Sequence, residues 1–282
     1  MKFLQFIIFL FVSLIGFAQR NALLYEIGSP NGKTSYIYGT MHLMDAKLFS
    51  MPKKLEKVLT KSDKLCMEIG GLNQVSISPD ALFDKEHPLT EYFTAAQMDS
   101  IYNWASENMM MDKEQFKTNF GNARPFLLLQ FMMQTSMPAD SKSYEKEFER
   151  IAEEKKLPVL GLETVDQQLK LFTAMPVQEQ VEMVMSSLRN KDAANEFNKM
   201  QEIYLTQNLD ELYAFVKKEK DSPISESRAF LEDRNQNWIP EMKKMMQDGT
   251  VFFAVGAAHL AGPEGVLSLL EKQGFKITPI RL

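Results

Sequence analysis

One pattern occurs twice, once near each end of the chain, and it limits the fold more than any other feature. Residues 251–255, VFFAV, form an apolar run that ends at Gly256, and His259 follows three residues later. A short run rich in Phe and Val and bounded by glycine reads as a buried strand. Gly262 and Pro263 then open a predicted helix, because proline is tolerated at the first helical position. Val266, Leu267, Leu269 and Leu270 give that helix an apolar stripe. Gly274 stops it, and residues 275–280 read as a further strand. The front of the chain repeats the order: a β-prone run at 36–38, Gly39, His42, a helical pattern after Pro52, and a strand at 65–69 that carries Glu68. Both units read as strand, Gly-x-x-His, helix, strand. The chain has only three histidines, so two in matched positions point to a shared role.

The expected fold class is therefore α/β, with a central mixed β-sheet built from the two units and a large helical insertion or cap over roughly 72–245. Residues 21–27 and 34–38 flank a turn-rich stretch with an Asn-Gly pair, which predicts a hairpin. The second strand of that hairpin delivers His42. Residues 44–49 read as a connecting loop and 72–80 as another. Helical patterns follow at 90–108, 112–119, 124–134, 143–156, 166–172, 177–189, 192–205, 210–218 and 225–246. Thr94 has the spacing of a capping box. Within the insertion, 157–163 breaks the helical pattern as a short buried strand that ends on Glu163.

Composition sets the compartment and excludes some partners. Lys2, an apolar stretch over 3–17 and a small-x-small site before Gln19 form the pattern of a secretory signal peptide over 1–18. The expected location is the bacterial periplasm or the exterior, with no stable membrane insertion after cleavage. The lone Cys66 rules out an intrachain disulfide, and its apolar strand context makes it a small buried residue. A net charge of −5 without a basic block argues against nucleic acid as a partner. The nineteen methionines read as core filler.

The candidate chemistry gathers where open α/β sheets place ligands, beyond the carboxyl ends of strands. Adjacent strands would bring His42 and His259 to one edge, with Gly39 and Gly256 letting the backbone turn sharply after each strand. Glu68 and Glu163 each close an apolar run. Two imidazoles and a carboxylate suit a divalent metal such as Mn, Co or Zn, and a second carboxylate suits a general base. Arg124, Arg234 and Asn235 are the next polar candidates, as a substrate clamp or as support for the site. His87 has no glycine partner and reads as a loop residue.

These motifs, together with the Arg124-Pro125 pair, the 161–164 run GLET and the 255–262 run VGAAHLAG, resemble the TraB/GumN family over nearly the whole chain after the leader. The family is related to the Tiki proteases and more distantly to erythromycin esterase and ChaN-like haem-binding proteins. The resemblance implies a metal-dependent hydrolase acting on a peptide. His42, His259 and Glu68 would be metal ligands, and Glu68, Glu163 and Arg234 the catalytic set. Arg124 and Asn235 are the substrate-binding candidates. Two other readings stay open: a metal-free hydrolase, and a protein that binds a peptide, haem or signal molecule without turnover.

Overall fold

The computed structural model describes residues 21–71, 77–218 and 227–282. The leader at 1–18, the start of the 72–80 loop and the first residues of the 225–246 helix lie outside them. In chain order the strands are β1 (Leu24–Gly28), β2 (Thr34–Thr40), β3 (Met44–Asp45), β4 (Lys64–Ile69), β5 (Ser141–Lys142), β6 (Val159–Glu163), β7 (Val251–Gly256) and β8 (Lys276–Ile280). Six of them form one mixed sheet in the order β6-β4-β7-β2-β1-β8. β6, β4, β7 and β2 are parallel, and β1 runs antiparallel to both β2 and β8. The two-residue strands β3 and β5 pair separately, so the expected loop at 44–49 begins with a short bridge to the insertion.

β7 lies at the centre of the sheet, between β4 and β2, and all six of its residues are buried. A parallel strand covered on both faces has no solvent side, which is why its sequence is continuously apolar rather than alternating. Phe252 and Phe253 are fully buried, and each such burial contributes about 1.5–3 kcal/mol. The first unit straddles the second: β2 and β4 flank β7. The registers Thr40↔Gly256, Met67↔Ala254 and Ile69↔Glu163 bring the carboxyl ends of four parallel strands to one edge.

The insertion divides between two cores. Leu89, Ile101, Phe116, Leu128 and Val184 belong to a separate helical cluster, whereas Phe148, Tyr204 and Trp238 pack into the core of the sheet. Several elements depart from expectation: the pattern at 90–108 divides into two helices, Leu89–Tyr92 and Ala95–Met109, with Thr94 capping the second, and the loop at 72–80 runs into a short helix, Pro79–Leu82. The last helix begins at Val266, with Gly265 as its N-cap, and not at Pro263; 261–265 is spent on a turn in which Gly262 takes φ +82°. β6 is the edge strand of the sheet and only partly buried. Cys66 is buried as expected, and burial pushes its thiol up to about 12. No helix among the described residues is long and apolar enough to cross a membrane.

Candidate active site

The site assembles at the shared strand edge. Glu68 comes from the end of β4, and His42 from the loop after β2. His259 lies in the 3-10 turn Ala257–His259 that follows β7. His42 Nε2 and His259 Nε2 are each 3.8 Å from the same oxygen, Glu68 Oε1. That oxygen also accepts the Gly256 N–H at 2.7 Å. Glu68 Oε2 accepts from Arg234 Nη2 at 2.6 Å and from Gln168 Nε2 at 3.3 Å.

The motif glycines serve a purpose other than the sharp turn expected of them. Neither has a positive φ. A Cβ on Gly256 would stand 3.3 Å from Glu68 Oε1, 3.3 Å from His42 Nε2 and 3.6 Å from the His259 ring. Gly256 therefore keeps open the space between the two imidazoles and the carboxylate. A Cβ on Gly39 would meet Leu260 Cδ1 at 2.9 Å and Ala257 Cα at 3.0 Å. Gly39 lets the His259 turn pack against β2.

Each imidazole is oriented from behind. His259 Nδ1 is 2.6 Å from Asn235 Oδ1, and Asn235 Nδ2 donates to the Glu264 carbonyl at 2.9 Å. The amide oxygen can only accept, so His259 carries its proton on Nδ1 and leaves an Nε2 lone pair. Arg234 Nη1 donates to that lone pair at 3.1 Å. His259 is buried against Trp238, with ring centroids 4.4 Å apart. Burial pushes its pKa down to about 3, with Glu68 opposing and the charges of Arg234 and His42 reinforcing, so the ring is neutral.

His42 Nδ1 is 2.9 Å from Glu145 Oε1, an oxygen that Thr40 Oγ1 also reaches at 2.5 Å. Ser143 Oγ holds the other oxygen of Glu145 at 2.9 Å. Crowding pushes the His42 pKa down, but the Glu145 hydrogen bond and the Glu68 and Glu145 charges outweigh it and raise it to about 9. Water reaches 62% of the His42 side-chain surface and screens that hold. Burial works against an ionised Glu68. The positive charges that His259 and His42 can carry, Arg234 and the Gly256 amide override it and hold Glu68 well below the usual carboxylate range. With His259 neutral, the last three supply that effect.

Glu163, expected as a possible base, is fully occupied. It accepts from Arg234 Nε at 3.0 and 3.1 Å, from Trp238 Nε1 at 2.8 Å and from Gln168 Nε2 at 3.2 Å. Its task is to anchor Arg234, whose buried guanidinium bridges Glu163 and Glu68. Burial lowers the Arg234 pKa, but the carboxylates more than offset it. Asn235, expected at a substrate, spends both amide groups on chain atoms and orients His259. Arg124 stands apart in the helical insertion, paired with Asp84 at 3.3 Å and with the Asp80 carbonyl at 3.4 Å. His87 pairs with Glu91 on the exposed surface.

Sequence reasoning missed Glu145, Gln168, Thr40 and Trp238. Glu145 lies in the first turn of the Tyr144–Lys155 helix among other glutamates, and nothing in its spacing separates it from a solvated residue. Thr40 and Trp238 were more accessible: one stands inside the first Gly-x-x-His motif, the other one helical turn after Arg234.

Among the described residues, no three His, Cys, Asp or Glu side chains stand close enough together to hold a metal ion as they are. The donor set nevertheless fits one. Both Nε2 atoms face one carboxylate oxygen across the gap at Gly256, and each ring is fixed by an outer partner, as metal-bound histidines are. Arg234 pairs with Glu68 and Glu163, and Glu145 pairs with His42, so three carboxylates stand against one guanidinium and at most one imidazolium, which leaves an excess of negative charge. An ion there would take the His259 lone pair from Arg234.

Comparison with known proteins gives one match. The TraB/PrgY/gumN family profile covers residues 23–279. No curated protein and no solved structure matches the chain. A match over nearly the whole chain places it in the TraB/PrgY/gumN family.

Proposed function

We propose, from that membership and this geometry, that the protein is an exported hydrolase of peptide bonds. It would work with a divalent ion (Mn, Co or Zn) held by His42 Nε2, His259 Nε2 and Glu68. The observation that carries the reading is the pair of oriented Nε2 atoms, both 3.8 Å from Glu68 Oε1, in a pocket with excess negative charge. When bound, the ion would supply Lewis acidity to a water molecule and a carbonyl. The chain's own residues do the positioning. Glu145 accepts the His42 Nδ1 proton and Asn235 that of His259, which turns both Nε2 atoms to the gap; at His42 a bound ion would have to displace the second proton that its raised pKa favours. Glu163 fixes the guanidinium of Arg234 beside the reacting centre, where it stabilises developing negative charge. Trp238 and the sheet keep water from the far side of His259. Export rests on the leader pattern at 2–18, and a mature N-terminus at Gln19 is its test.

One contact favours a second reading, a metal-free hydrolase. Arg234 already fills the His259 lone pair, while the exposed His42 has Glu145 behind it, as a general base does. There His42 Nε2 would take the proton of the attacking water in the fraction of molecules in which it is deprotonated, so cleavage would rise with pH toward about 9. Metal analysis of protein purified without chelator, with cleavage of a mixed peptide library, separates the two. The metal reading expects a bound ion that His259→Ala releases, and activity that chelation removes. Cleavage that persists without metal, and that is lost in His42→Ala but not in His259→Ala, selects the second. A protein that cleaves nothing in either state overturns both.

A further inference from the structure

Beside the site lies an open groove of about 580 Å³. Phe49 and Met51 form its apolar side; Lys142, Lys146 and Arg150 form a basic side on β5 and the Tyr144–Lys155 helix. Its walls are tied together. β3 pairs with β5, the Tyr144 hydroxyl donates to the Ser50 carbonyl at 2.9 Å, and the Phe49 ring packs on Tyr144 with centroids 4.6 Å apart.

The groove shares a residue with the site. Ser143 lines it and also holds Glu145, the partner of His42. Two hydrogen bonds of 2.9 Å and one carboxylate keep Ser143 Oγ within about 8 Å of His42 Nδ1, a reach of roughly two or three residues of extended chain.

The charges in the groove are uneven. Arg150 is already paired with Glu147 and Glu154. Lys142 and Lys146 form no close ion pair among the described residues, although the Lys142 charge reaches Glu147, which also lines the groove; the Lys142 ammonium lies 5.6 Å over the Phe49 ring. Two ammonium groups outside any close ion pair, beside an apolar floor on a chain of net charge −5, are complementary to a carboxylate carried next to an apolar group.

We infer that this groove is a specificity subsite that binds a carboxylate of the substrate peptide, two or three residues from the bond cut at His42. The inference rests on the hydrolase reading for its purpose, but its test does not need turnover. The probes are acetyl-Phe-Glu-amide, acetyl-Phe-Gln-amide and acetyl-Phe-Gln with a free C-terminus, titrated into the protein and followed by amide chemical shifts at low and moderate salt. The Glu probe is expected to bind about three- to tenfold tighter than its neutral twin, the gain two exposed charge pairs allow, and to shift the amides at 141–150. The preference should weaken with salt and reverse in Lys142→Glu/Lys146→Glu. Both lysines are exposed, so that variant should keep its melting midpoint. Tighter binding of the free C-terminus than of the Glu probe assigns the subsite to a terminal carboxylate; the reverse assigns it to a side chain. Equal binding of the Glu and neutral probes, or a preference that survives the charge reversal, overturns the inference. His42→Ala should bind the probes normally. If that variant and the wild type bind alike and no peptide is ever cleaved, the groove stands and the hydrolase reading falls.

Discussion

The sharpest test of the site is to add one methyl group at Gly256. The backbone there has φ −51° and ψ 132°, open to any residue. Restricting the unfolded chain by Gly→Ala at such a position stabilises by about 0.4–1 kcal/mol. Against this, the new Cβ would lie 3.3 Å from Glu68 Oε1 and from His42 Nε2. Those side-chain atoms must yield by a few tenths of an ångström, which costs about 1 kcal/mol, the low end of overpacking. The two effects nearly cancel, so Gly256→Ala should melt within a few degrees of wild type. The function should not survive so well, because the methyl fills the gap in which an ion or attacking water would sit. Metal affinity and turnover are expected to fall about 10–100-fold. Gly39→Ala makes the contrast. Its Cβ meets backbone, Ala257 Cα at 3.0 Å, and should cost about 1–3 kcal/mol of stability. Calorimetric metal titration and thermal melts of both variants decide it. If Gly256→Ala binds metal and turns over like wild type, the gap between the histidines is not where the chemistry happens.

Three further outcomes follow from the charges. Arg234→Met strands Glu68 and Glu163 without their cation and should cost about 3–5 kcal/mol, read as a lower urea midpoint; an unchanged midpoint would mean that the carboxylates have other compensation. Adding Mn, Co or Zn to chelator-stripped protein at 100 times its Kd should stabilise it by about 2.7 kcal/mol, a rise of roughly 5–10 °C for a chain of this size, and His42→Ala should abolish the rise. With only three histidines to assign, ring NMR of the metal-free protein should find His42 titrating above 6.5, with about 9 as the limit that screening by water lowers, and His259 neutral down to about 3. The stability consequences are opposite in sign. The raised His42 contributes below its unfolded value of about 6.5, a contribution lost as pH rises through its folded value, at most about 9. The depressed His259 leaves the unfolded chain binding more protons, so stability falls as pH drops from about 6.5 toward 3. A His259 that titrates near 6.5 would show that its ring is not buried as described.

What the sequence disclosed was the part that backbone patterning controls. The two Gly-x-x-His units announced two strand ends, and the solid apolar run at 251–255 announced a strand covered on both faces. Together they placed head and tail side by side, which β2 and β7 are. Glu68 and Glu163 were visible because each ends such a run. The misreadings come from tertiary contacts that leave no periodic trace. Arg124 drew notice as a charge ahead of an apolar helix, but Asp84 neutralises it from forty residues earlier. Glu145 went unseen because a helix-start glutamate faces solvent or a histidine with the same spacing. Only the packing of Tyr144 and Phe148 against Tyr38 on β2 decides which. The glycines were found for a reason that proved wrong: they supply space, not backbone freedom.

The order of the strands links the site to the fold. Glu68 is buried as an anion, and a buried carboxylate is tolerated only with its partners in place. Those partners are the Gly256 amide, Arg234 and Gln168. Two of the three come from the last fifth of the chain. Until β7 enters between β4 and β2, Glu68 lacks the amide that caps Oε1 and one of the two histidines that face it, and Arg234 lacks its contact with His259 Nε2. The central strand that completes the hydrophobic core therefore also completes the charge balance of the site. A sheet assembled without β7 would leave the Glu68 carboxylate at its edge short of the donor to Oε1, so the arrangement that completes the site is also the one in which the sheet is most stable.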